Sequence, residues 1–217
     1  MDFKAARRRM VESQVRTNDV TDLRLQTALE TVPRESFLPP GLKDQAYVER
    51  EIEYAPARAL MTARDFAKLI AAARPGEGDL CLAVSVGMGY AVAVLARLVE
   101  MVVAVEGDET LAAAAQENLV AQGVSNAAVL AQNCAKGVPD QGPYDLILID
   151  GVIEKRPNAL LDQLKDGGRL AAIFRENGVS RGIIFNRSGD AIGMTVKFDA
   201  TAKVVAPGFE AEKTFVF

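Results

Sequence analysis

The chain has no histidine, no tryptophan and only two cysteines among its 217 residues. Without histidine it lacks the commonest general base, and every Ser-His-Asp mechanism is excluded with it. The two cysteines leave no ligand set for a zinc site, so no metal is expected. Cys81 lies inside an apolar run and Cys134 just past another, which gives little support to a structural disulfide. Long hydrophobic runs are also missing, and the charged start Met1-Asp2-Phe3-Lys4 is no signal peptide, so a cytoplasmic protein without a membrane association is expected. Basic charge is in short supply. A net charge of −4 is a poor start for binding nucleic acid. The one basic cluster, Arg7-Arg8-Arg9 with Lys4 and Arg16, falls in an amphipathic pattern whose apolar side uses Phe3, Ala6, Met10 and Val11, and reads as a solvated helix face or else a phosphate or partner contact.

What is present is an apolar fraction of 49%, enough for one domain with a full core. Residues 3–17 and 22–31 read as two helices, the second capped by Thr21 or Asp22. Residues 46–62 follow neither the helical nor the strand period and read as a long loop; a helix over 63–74 follows. From residue 79 strands and helices alternate. Strands are expected at 79–85, 101–105, 126–131, 144–149 and 169–174, with helices at 89–99, 108–121 and 156–165. The segments 181–186, 193–198 and 213–217 look extended and joined by turns. This pattern predicts an α/β fold: a Rossmann-like, mostly parallel, doubly wound sheet with antiparallel edge strands. Residues 1–62 form an N-terminal helical extension with a substrate-side loop, and 63–217 the Rossmann-like domain, the whole making a single unit.

Ligands on such sheets bind at the carboxyl ends of the strands. Four segments converge there: 83–89, Glu106, 132–134, and Asp150 with Gly151. Gly87 and Gly89, with Ser85 before them, form a glycine-bearing turn that lets backbone approach a ligand. Glu106 ends the next strand, where an acid can take both hydroxyls of a ribose; otherwise it is an exposed acid opening a turn. Asn133 can offer its amide to an adenine edge or serve as a polar loop residue. Asp150 is either an acid at a transfer site or the turn partner of Gly151. Tyr90 packs the following helix or lines the pocket.

Several motifs together resemble the protein-L-isoaspartate O-methyltransferase family. They are Met10-Val11 with Gln14, Asp22, the run Val32-Pro33-Arg34-Glu35 with Phe37 and Pro39, Ala46-Tyr47, Pro143-Tyr144-Asp145, and Gln163-Leu164 with Gly167-Gly168-Arg169-Leu170. The resemblance implies a class I methyltransferase sheet, S-adenosylmethionine as methyl donor, and isoaspartyl carboxylates of proteins or peptides as substrate. It also marks departures. The family loop resembling Gly-Gln-Thr-Ile-Ser-Gln-Pro is here Ala57-Arg58-Ala59-Leu60-Met61-Thr62-Ala63, so both hydroxyl positions are apolar and Thr62, one residue late, is the remaining candidate for holding substrate. Ala83 and Ser85 replace the acid and first glycine of the glycine turn. The expectation is a carboxyl methyltransferase with weakened or lost cofactor binding, or else a catalytically degenerate member acting as a binding or scaffolding module. The sequence leaves the oligomeric state open.

Overall fold

The computed structural model describes residues 2–211. Helix α1 (Phe3–Met10) is capped by Asp2, and α2 (Leu23–Thr31) by Asp22, whose carboxylate accepts from the amides of Arg24 and Leu25. The single helix expected over 3–17 is interrupted: Val11–Val15 is π-helical and Arg16–Asn18 a 3₁₀ turn. Ser13 and Thr17 donate to the carbonyls of Arg9 and Ser13. Such bonds to the carbonyl four residues back compete with the helical ladder and loosen it.

The expected loop over 46–62 holds a hairpin of β1 (Ile52–Ala55) and β2 (Arg58–Leu60). Pro56-Ala57 makes its turn, with Ala57 at φ +53°. Thr62 then caps α3 (Ala63–Ala73). The main sheet uses β3 (Leu80–Val84), β4 (Met101–Glu106), β5 (Ala127–Ala131), β6 (Tyr144–Ile153), β7 (Leu164–Glu176), β8 (Val179–Ser188) and β9 (Ala191–Asp199). Their order is β5-β4-β3-β6-β7-β8-β9. The pairs from β5 through β7 are parallel, and β8 and β9 close one edge as an antiparallel meander. The extended segments expected at 181–186 and 193–198 lie in β8 and β9; that at 213–217 is outside the described residues. Between strands run α4 (Tyr90–Leu95), α5 (Glu109–Ala121) and α6 (Asn158–Leu161). The helix expected at 156–165 is confined to Asn158–Leu161, because β7 begins at Leu164, and Gln163 between them holds the segment before β6. Its side chain donates to Lys136 O and accepts from Val138 N.

Buried residues alternate between the two faces of the sheet, as strands covered on both sides require. Cys81, Ala83, Val102, Ala104, Leu146 and Leu148 face a core shared with α1–α4. Leu82, Val84, Val103, Val105, Ile147 and Ile149 face a second core with α6 and the segment ending at Phe209. Arg34 is buried at 1% exposure and ties the N-terminal extension to this frame. It donates to Ala46 O and Met61 O, and its guanidinium lies 4.9 Å from the Tyr90 ring. No described helix is long and apolar enough to cross a membrane.

Asp65 fixes the chain after β9. Buried on α3, its carboxylate pairs with Arg64 and accepts from Thr201 N, Thr201 Oγ1 and Ala202 N. Asp65→Ala leaves these donors unsatisfied, so unfolding stability should fall by about 3 kcal/mol, measured by urea denaturation. A change below about 1 kcal/mol would show that the tail is held by other contacts.

Candidate active site

The sheet reverses its winding beside β3, where β4 and β6 flank it, and the residues singled out in the sequence gather at these strand ends. Gly87 and Gly89 both take positive φ, +53° and +95°. Gly89 caps α4 in this left-handed conformation, which side chains rarely adopt, and an added Cβ would also lie 3.3 Å from the Cβ of Ala115 on α5. At Gly87 the space is filled by the Tyr54 hydroxyl of β1, which accepts a hydrogen bond from Met88 N.

Glu106 ends β4 fully buried, and each carboxylate oxygen meets two donors. One accepts from Gly87 N (2.7 Å) and Arg58 Nε (2.9 Å). The other accepts from Asp108 N (3.0 Å) and Arg58 Nη2. Arg58, on β2, is itself only 5% exposed. Burial alone would lower the guanidinium pKa, but the Glu106 hydrogen bond and charge outweigh it and hold the pKa above its ordinary value. The strand-tip acid is therefore no exposed turn residue; it is the centre of a closed cluster.

Outside this pair lies a cleft of about 840 Å³, lined by Ala55, Arg58, Asp108, Gln132, Asn133 and Cys134, among others. Arg58 stands on its wall, whereas Glu106 does not. Asn133 is exposed there, and its Oδ1 accepts from Ala135 N to cap a short 3₁₀ turn.

Asp150 sits where β6 breaks its register with β7, between Leu148 and Val152, and β6 continues to Ile153. Burial pushes its carboxyl pKa up to about 7, with Glu106 and Glu51 adding to the rise while Arg34 and Arg58 oppose it. Thr62 is 7% exposed, and its hydroxyl accepts from Asp65 N as the cap of α3. Met61 points into the core. Tyr90 packs against Phe37 and Phe66 in the core. Arg58 and Tyr54 have no role in the sequence reading because their segment looked like a loop. The signals were one arginine in an otherwise apolar stretch, which needs an acidic partner, and the Pro56-Ala57 turn. Among the described residues no cluster of Cys, Asp and Glu suits a metal ion.

A family model described as protein-L-isoaspartate(D-aspartate) O-methyltransferase matches residues 5–201. The chain belongs to this family. A relative from Syntrophobacter fumaroxidans, named protein-L-isoaspartate O-methyltransferase 1, is 34% identical over 78% of this chain and 79% of its own. One from Methylorubrum extorquens, named protein-L-isoaspartate O-methyltransferase, is 36% identical over 78% and 74%. Among solved structures, one named protein-L-isoaspartate O-methyltransferase has TM-score 0.79 at 21% identity, covering 93% of this chain and 66% of that one. Another, from Plasmodium falciparum, is described as a protein-L-isoaspartate O-methyltransferase in complex with S-adenosyl-L-homocysteine. It has TM-score 0.78 at 16% identity, covering 92% and 97%. These two likenesses show the shared class I methyltransferase fold.

In this closed arrangement the carboxylate that would meet an adenosyl ribose is already bonded within the chain. All four hydrogen bonds that the Glu106 carboxylate accepts come from within the chain, and the Tyr54 hydroxyl covers the glycine turn. Ala83 and Ser85 supply no replacement contact. Ala83 is inside the core, and Ser85 is 2% exposed at φ +62° with a buried Oγ that has no partner among the described residues.

Two outcomes follow. Ser85→Gly removes an unsatisfied hydroxyl and a strained left-handed residue, against a larger unfolded-state entropy of about 0.4–1 kcal/mol. The balance should raise stability by about 1 kcal/mol in thermal denaturation, and a lower Tm would show that the hydroxyl is bonded in solution. For Asp150, the folded pKa of about 7 exceeds the unfolded value near 3.9, so the folded state binds the extra proton. Its contribution is complete below pH ~4 and is lost as pH rises through about 7. Asp150→Asn should therefore be more stable than the native chain at pH 8, by on the order of 2–4 kcal/mol, with the difference shrinking towards pH 4.5. A pH-independent difference would place the titration elsewhere.

Proposed function

We propose that the chain is a protein carboxyl O-methyltransferase using S-adenosylmethionine, and that isoaspartyl residues are not its main substrate. The observation that carries this reading is Glu106 at the tip of β4, hydrogen-bonded to Gly87 N of the glycine turn and one side chain away from a cleft bearing Asn133. The family membership and the names of the relatives support it. The cofactor supplies an electrophilic methyl group when bound, and a carboxylate acceptor is already ionised at neutral pH, so the lack of histidine is no obstacle. Asp150, protonated below about pH 7, can donate to an acceptor carboxylate where an ionised side chain would repel it. Against isoaspartyl selectivity stand Ala59 and Met61 in place of hydroxyls, which leaves in this loop only the Thr62 O–H, whose oxygen accepts from Asp65 N, to donate to an acceptor carboxylate.

A second reading, a non-catalytic module that keeps the fold for binding or scaffolding, is favoured by the Arg58 and Tyr54 contacts that fill the cofactor side. Calorimetric titration separates the two. S-adenosylhomocysteine should bind with Kd poorer than about 10 μM, roughly −7 kcal/mol, and Glu106→Gln should remove that binding. A base-labile methyl-ester assay on matched isoaspartyl and aspartyl peptides should show no preference for the isoaspartyl form. No heat at millimolar ligand would leave the module reading, and strong isoaspartyl selectivity would restore repair as the activity.

A further inference from the structure

We infer that Arg58 is a tethered competitor for the ribose-binding acid, and that it sets whether this chain takes an adenosyl ligand. The inference rests on the proposed methyltransferase reading and adds a residue to which that reading gives no role. A guanidinium presents a planar fork that matches a carboxylate bidentately, and Arg58 uses Nε and Nη2 on the two oxygens of Glu106. A ribose diol would approach the same two oxygens. The fork and the diol therefore exclude each other, while the amides of Gly87 and Asp108 hold the carboxylate in place in either case.

The position of Arg58 makes it the displaceable party. It stands on the wall of the 840 Å³ cleft, between that space and the buried acid. Its hairpin is a two-stranded unit separate from the main sheet, turned through Pro56-Ala57 with Ala57 in a left-handed conformation. Withdrawal of this hairpin would also lift Tyr54 from the glycine turn. The same segment carries Ala59, so opening the cofactor side and reshaping the substrate side would be one movement. A site that must first open binds with an affinity reduced by the fraction of molecules already open. The weak affinity expected of the native chain then reflects the closed hairpin as well as the missing contacts at Ala83 and Ser85.

The test is calorimetric titration of the full chain with S-adenosylhomocysteine, comparing native, Arg58→Ala and Arg58→Lys proteins. Arg58→Ala should tighten binding at least tenfold, since Glu106 keeps its two backbone donors and loses its competitor. Arg58→Lys, which keeps a charge beside the acid but not the fork, should tighten it severalfold and provides the reading if the alanine variant does not fold. Native-like or weaker binding in the variants, with measurable binding to the native chain, would overturn the role of Arg58 and leave the methyltransferase reading standing. No binding to any of the three at millimolar ligand would overturn both.

Discussion

A carboxylate buried at a strand end must be met by donors, and most of this site's geometry follows from how Glu106 meets that requirement. Desolvating one charge costs several kcal/mol, and removing one partner of a buried pair leaves that penalty uncompensated. Two backbone amides alone supply half of the four donors now in place; Arg58 supplies the other half together with the opposite charge. To reach Glu106, the segment between Ala46 and Thr62 folds as a hairpin across the ends of β3 and β4. That fold places Tyr54 on Gly87 and brings Ala59 and Met61 to positions determined by the hairpin and the core.

Neighbouring polar side chains also make local hydrogen bonds. Asn133 caps a 3₁₀ turn, and Thr62 caps α3. Gly89 has its positive φ beside Ala115, where two helices approach closely. Asp150 is the exception. It lies among Arg34, Arg58, Glu51 and Glu106 with a pKa near neutrality, the condition in which a carboxyl group can either donate or accept a proton. A methyltransferase needs little acid–base chemistry, so such a group is more useful in orienting an anionic acceptor than in moving protons.

The α/β alternation from residue 79 onward was legible because strand and helix periods differ. The strand-tip position of Glu106 and the antiparallel β8–β9 meander were legible for the same reason. The hairpin was not. Strands of three and four residues are too short to establish a period, and Ala57 stands where a turn with positive φ would ordinarily show glycine. The break in the first helix also escaped, since Ser13 and Thr17 disturb the ladder through their hydroxyls while the apolar spacing stays helical. Above all, a single sequence identifies an acid at a strand tip but not its partner: Arg58 lies 48 residues away from Glu106 along the chain.

The central claim is that one carboxylate serves either the hairpin or an adenosyl ligand. Hydrogen exchange read at the amides of residues 52–60, with and without saturating S-adenosylhomocysteine, tests it most directly. On this account the ligand protects the strand ends around Glu106 while the hairpin amides exchange faster than in the free chain. Ligand binding with unchanged or increased protection of residues 52–60 would contradict it.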